Sequence, residues 1–220
     1  VVHAHGTGGS FKAAINDGIA GALAGASSPI ATLTYEGVGS GARKGASLRD
    51  SDGLVFNVVN PRAARDNHLQ GAVDVIQTLR IAQAAPFVVD TVNVAFDASK
   101  TYFFGHSQGS NVGIPGVATS SLAKGAVFSG AGSYLSEGLL TRTSPVNAGE
   151  VFAYLVGEPL SSAHPVMTIL QTFFDRMDSV NFDPLILAMP PNGVASKNVL
   201  LTWGQGDTFS PESTLNITAQ

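Results

Sequence analysis

A chain of 220 residues is long enough for one α/β domain with a substantial core. Hydrophobic residues make up 44% and charged residues 13%, which excludes a disordered chain, and a net charge of −4 with no basic stripe excludes a nucleic-acid surface. The absence of cysteine excludes disulfides, thiolate metal sites and a cysteine nucleophile.

Val1 to Ala4 reads as the end of a strand that runs into the glycine-rich loop His5-Gly6-Thr7-Gly8-Gly9. A helix is expected from about Phe11 to Ala24, then a strand from Ile30 to Tyr35. A Gly/Ser/Arg loop fills Glu36 to about Gly53. The next helix is the clearest element: Asn60 can cap it, Pro61 suits the first helical position, and Leu69, Val73, Ile76 and Leu79 recur at helical spacing. Pro86 marks its stop. Thr101 to Phe104 suits a strand, and a helix follows whose interior contains Pro115, so it is expected short or kinked. Lys124 to Phe128 and Asn198 to Trp203 are the later strands. Strands alternating with helices predict a mostly parallel sheet with helices on both faces.

Residues 130 to 196 lie between the last two strands and are rich in Pro and Leu. A stripe of Val166, Met167, Ile169, Leu170, Phe173, Phe174 and Met177 runs through them. It suits either a helix packed on the core or a cap whose apolar face lines an acyl pocket, with Met167, Leu170 and Phe174 as the lining. No apolar run reaches the length of a membrane span.

Gly105-His106-Ser107-Gln108-Gly109 is a G-x-S-x-G pattern straight after a strand and before a helix. With 25 glycines in the chain the pattern alone is weak, and its context carries the reading. The glycines leave room where strand and helix approach, and the serine takes a strained turn that exposes its hydroxyl. Ser107 is the candidate nucleophile. His106, at the x position, is expected to turn its side chain elsewhere. An acyl-transfer enzyme also needs preset N–H donors for its oxyanion. Gln108 supplies one and Thr7 the other, with Gly6 or Gly8 as alternatives for the second. His5 is read as shaping that loop. His3 and His5 share a strand face, and no third ligand completes a metal site with them. Asp207, in the turn after the last strand, sits where a triad acid belongs, or else caps the helix opening at Ser210-Pro211-Glu212. Asp175, Asp178 and Asp183 compete for the role.

Taken together, HGTGG (5–9), NPRAARDNHLQGAVDVIQTLR (60–80), GHSQG (105–109), HPVMTILQTFFDRMDSVNFDP (164–184) and WGQGDTFSP (203–211) resemble the α/β-hydrolase superfamily of esterase and lipase type. More narrowly, they resemble the bacterial extracellular, virulence-factor lipases. The resemblance implies a single α/β-hydrolase domain over 1–220 with a cap-like insertion at about 130–196. It also implies carboxylic ester hydrolysis through an acyl-enzyme without cofactor or metal, and a secreted or cell-envelope location in a bacterium. The implied partner is a small-molecule or lipid-like ester, not nucleic acid. A peptidase or amidase on the same fold, a non-catalytic binding module and a lipid carrier remain open.

One expected part is absent. In this superfamily the triad histidine follows the acid, yet no histidine follows Asp207; the five stand at 3, 5, 68, 106 and 164. Three explanations stand: a chain lacking outer strands at both ends and, with them, the histidine; service by His164; or a hydrolase fold that no longer hydrolyses.

Overall fold

The computed structural model describes residues 1–57, 59–84, 86–144 and 146–220. The chain opens with β1 (Val2–Ala4), then two short helices, α1 (Ala13–Asn16) and α2 (Ile19–Ala24). The single helix expected over 11–24 is therefore broken. Gly18 sits between the halves at φ +77°, a left-handed conformation that ends one helix and lets the next start in a new direction. The strand expected over 30–35 shortens to β2 (Leu33–Thr34), because only two residues of the brief β1 register with it. The following loop contains a 3-10 turn (Gly41–Lys44) and the helix α3 (Ser51–Val55).

The long helix α4 (Pro61–Ala82) starts as expected: Asn60 accepts a hydrogen bond from the Ala63 N–H, and Pro61 takes the first position. Its buried face includes one of the four large side chains that the spacing picks out, Leu79, and otherwise falls mainly on smaller residues. Ala64, His68, Gly71, Ala72, Val75 and Leu79 point inward, while Val73 is 49% exposed. Close helix packing explains the choice, since a β-carbon on Gly71 would fall 2.7 Å from Val112 of the neighbouring helix. An antiparallel hairpin follows, β3 (Phe87–Val89) and β4 (Val92–Val94). Its turn residues Asp90 and Thr91 both have positive φ, the mirror-image turn whose twist matches paired strands.

Next come β5 (Phe103–His106), α5 (Gln108–Ala118) and β6 (Gly125–Ser129). Helix α5 continues through Pro115. The proline leaves the Asn111 carbonyl without its helical donor, and the Ser179 hydroxyl donates to it at 3.5 Å. Between β6 and the last strand the described residues include the α-helices α6 (Leu135–Thr141), α7 (Ala148–Val156), α8 (Pro165–Phe174) and α9 (Asp183–Leu187). Strand β7 (Asn198–Thr202) and helix α10 (Glu212–Thr218) close the described chain.

The central sheet runs β2-β1-β5-β6-β7 and every pairing in it is parallel. From β1 the chain moves outward to β2. From β5 it moves the opposite way, to β6 and β7. The strand order reverses between β1 and β5, so the loops leaving these two strands meet at the carboxyl end of the sheet, where open α/β sheets bind ligands. One apolar core packs α4 and α5 on the sheet around Val2, Val75, Leu79, Phe103, Ile114 and Phe128. A second joins α6, α8 and the start of α4 around Ala64, Met167, Leu170, Phe174 and Met177. Among the described residues no helix is long and apolar enough to cross a membrane.

Candidate active site

Ser107 stands at the end of β5 and immediately before α5, with φ 51° and ψ −118°. A non-glycine residue holds such a conformation only where its surroundings impose it. Here the Ser107 N–H donates to the Ser129 carbonyl at 2.7 Å, and the Ser110 hydroxyl donates to the same carbonyl at 3.0 Å. The adjoining glycines explain why no bulk is tolerated. A β-carbon on Gly105 would press into the backbone of Gly109 and Ser110, and one on Gly109 would overlap the Ala4 carbonyl. Strand β1 thus lies directly against the start of α5.

That contact brings the loop after β1 to the serine. A β-carbon on Gly6 would fall 3.2 Å from the Ser107 β-carbon. Buried His5 fixes the loop from beneath: its Nδ1–H donates to the Gly6 carbonyl at 2.8 Å and its Nε2 accepts from the Gly37 N–H at 3.0 Å. Both ring nitrogens thus have backbone partners. Gln108 opens α5, so its N–H has no partner within the helix. Thr7 and Gly8 line the same cavity as Ser107.

Asp207 reaches this point from the loop after β7. Its Oδ1 accepts the N–H groups of Phe209 at 2.8 Å and Ser210 at 3.0 Å, so the capping role is filled by one oxygen. The other oxygen faces Gly130: a β-carbon there would lie 3.9 Å from Asp207 Oδ2 and 3.9 Å from the Ser107 Cα. The Ser210 hydroxyl ties the loop to the Gly130 carbonyl at 3.0 Å. Serine and carboxylate therefore flank one glycine, and Oδ2 has no hydrogen-bond donor among the described residues.

No histidine stands between them. His3 is buried in β1 edge-on to Phe104, and burial pushes its ring down to about 4, with His5 and His106 acting in the same direction and Asp17 opposing. His68 is buried on α4, where its Nδ1–H donates to the Ala64 carbonyl and desolvation lowers its pKa. His164 caps α8: its Nδ1 accepts from the Val166 N–H and its Nε2 pairs with Glu158 at 3.0 Å. It does not line the cavity around Ser107. His106 departs from expectation. Its ring stays at the site, close above Gly6, and lines the cavity, with Nδ1 3.5 Å from the Ser129 hydroxyl.

Ser107, His106, Thr7 and Asp207 open onto one cavity of about 780 Å³. Of the expected pocket residues, Phe174 lines it together with Met177. Met167 and Leu170 do not; they sit behind in the second core, because Cβ directions on α8 turn them toward α4 and α6. Helix α8 thus serves core and cavity at once. Asp178 is fully buried and accepts from the N–H groups of Tyr134, Leu135 and Val180 and from Gln171 Nε2. It braces the loop entering α6, where Tyr134 holds φ 66° and lines the cavity. Asp175 and Asp183 do not line the cavity either. The sequence reading missed Arg142, which lines the cavity with its guanidinium 5.5 Å from the Phe56 ring centroid and 5.8 Å from that of Phe209. Its partners lie far apart in sequence, so no local motif marks it.

No protein-family model matches the chain, and no curated protein matches it. Among solved structures, the fold is similar to that of an acetyl xylan esterase from Paenibacillus sp. R4, with a TM-score of 0.59 and 17% identity over 99% of this chain and 73% of that one. The parallel central sheet, the strand order and this likeness define an α/β-hydrolase-like fold.

Proposed function

We propose that the protein is a serine hydrolase of carboxylic esters, with Ser107 as nucleophile. The observation that carries this reading is the strained Ser107 backbone, pressed against the Gly6 loop on one side and reached by Asp207 across Gly130 on the other. Ser107 attacks the ester carbonyl and expels the alcohol, giving an acyl-enzyme that water then cleaves. The N–H groups of Gln108 and Thr7 hold the oxyanion. The Oδ2 of Asp207, to which no described residue donates, is placed to orient an imidazole. The fold likeness to an esterase supports the ester class. Residues 130–196 act as a cap that contributes Leu135, Leu139 and Phe174 to the cavity.

Losing a triad member costs about 10⁴- to 10⁶-fold in rate, so the 220-residue chain alone should react slowly. The test is intact mass after exposure to a fluorophosphonate, with and without free imidazole. The expected outcome is one adduct on Ser107 that forms faster with imidazole, and none in Ser107→Ala. An unmodified mass under both conditions would replace this reading with a binding module on a hydrolase fold. That second reading has one observation in its favour, the missing histidine.

A further inference from the structure

The loop that carries Asp207 has little burial to hold it. Trp203 to Gly206 are exposed, as are Thr208 and Phe209, and Phe209 leaves 55% of its surface open to solvent. An acid orients an imidazole only while its own position is fixed. The Ser210 hydroxyl supplies one tether, to the Gly130 carbonyl. A second set of tethers converges on one side chain, Arg142, which follows α6 directly.

Arg142 acts on the loop in two ways. Its Nε donates to the Ser144 carbonyl at 2.6 Å and so curls residues 142–144. In that shape the N–H groups of Thr143 and Ser144 both donate to the Thr208 carbonyl, each at 3.2 Å. Its guanidinium also stands 5.8 Å from the Phe209 ring centroid, within cation–π reach. Thr208 and Phe209 are the two residues after Asp207, and the Phe209 N–H donates to Asp207 Oδ1. A shift of Arg142 therefore passes straight to the carboxylate. The guanidinium is anchored in turn by the segment that leaves β2: it lies 5.5 Å from the Phe56 ring centroid, and its Nη2 pairs with Asp52 Oδ2 at 3.5 Å. A planar cation with several fixed donors meets all these partners at once, and the single ammonium of lysine does not.

We propose that Arg142 is the positioning residue for Asp207: it joins the segments that leave β2, β6 and β7 and so holds the acid's loop in place across Gly130 from Ser107. The functional role rests on the hydrolase reading, in which Asp207 is the acid. The placement itself is a property of the loop and is measurable without any reaction.

The first test is amide hydrogen exchange, read residue by residue by NMR on the 220-residue chain. In Arg142→Met the amides of Phe209 and Ser210, which donate to Asp207 Oδ1, should exchange about tenfold faster, while those of Val127 and Phe128 in β6 keep their rates. Arg142→Lys should match Arg142→Met, because it keeps a charge beside Asp52 and loses the plane and the Nε donor. Phe209→Leu should speed the Ser210 amide likewise and add nothing to Arg142→Met. The lysine and leucine variants carry the same reading if Arg142→Met does not fold. Unchanged exchange at Ser210 in these variants, full protection in Arg142→Lys, or additive effects of the two sites would overturn the proposal. The second test is imidazole-assisted labelling of Ser107. Arg142→Met should slow it about tenfold, with no further slowing when Asp207 is already replaced by alanine. Equal slowing in both backgrounds would make Arg142 merely structural and overturn the positioning role. If the wild-type chain does not label at all, the hydrolase reading falls, and the exchange pattern still decides whether Arg142 holds Asp207.

Discussion

At Ser107 the backbone itself stores energy. A non-glycine residue at φ 51°, ψ −118° costs about 1–3 kcal/mol, which the Ser129 carbonyl and the packing of β1 on α5 must offset. The Ser107 side chain makes no hydrogen bond among the described residues, so little is lost by removing it. Ser107→Gly should therefore raise stability by about 1 kcal/mol in urea denaturation while eliminating the fluorophosphonate adduct. An unchanged or lower midpoint would mean the turn is not strained. This residue was legible in the sequence because the steric demands of the turn are local: glycine on either side, a strand before and a helix after. Asp207 was legible for the same reason, as an acid in a turn closing a late strand. His106 was not. Sequence gives its position in the turn, but its ring packs over Gly6, a hundred residues away, which offers the ring a surface without a side chain.

Helices and strands obeyed their local signals where those signals were chemical. Asn60-Pro61 started α4, and Ser210-Pro211 led into α10 at Glu212. They departed where a neighbour decided. The inward face of α4 was hidden because its closest contacts use small residues, Gly71 and Ala72, which carry no hydrophobic signal. The β3–β4 hairpin was hidden because Asp90-Thr91 turns without glycine. The element with the clearest electrostatic cost is α9. Its first residue, Asp183, has its carboxyl pushed up to about 7 by burial, with the Ser133 hydroxyl opposing and the charge of Asp178 adding to the rise. The folded state thus holds this proton more tightly than the unfolded chain, whose carboxyl titrates near 3.8. Stability from this group is fully present below about pH 4 and falls as pH rises toward 7, then stays level. Asp183→Asn keeps an acceptor for Ser133 and removes the titration. It should stabilise the protein at pH 8 by on the order of 4 kcal/mol and leave it unchanged at pH 4. Equal effects at both pH values would show that the carboxyl is not protonated on folding.

Across the whole molecule, two cores depend on shared elements. Helix α4 contributes Ala64 to the helical core and Val75, Leu79 and Ala82 to the sheet core, while α9 sends Ile186 into the sheet core from the segment that carries α8. The alternation of strands and helices was enough to foresee the sheet core. The helical core was not foreseeable, because the same stripe on α8 suits a core face and a cavity wall equally well. The fold uses both, with Met167 buried and Phe174 at the cavity. Met167 is 2% exposed and does not line the cavity, so Met167→Ala should destabilise by about 2–5 kcal/mol without changing the groups that surround Ser107. The single tryptophan, Trp203, directly follows β7 and is 42% exposed, so its fluorescence reports on that end of the sheet. If α4 couples the two cores, urea unfolding of Met167→Ala followed by Trp203 fluorescence and by far-ultraviolet circular dichroism will shift to one common lower midpoint. A fluorescence midpoint that stays at the wild-type value while the dichroism midpoint falls would mean that the helical core melts on its own. In that case the wall formed by Leu135, Leu139 and Phe174 could open without unfolding the sheet, and Met167→Ala would loosen ligand binding while leaving Ser107 strained and in place.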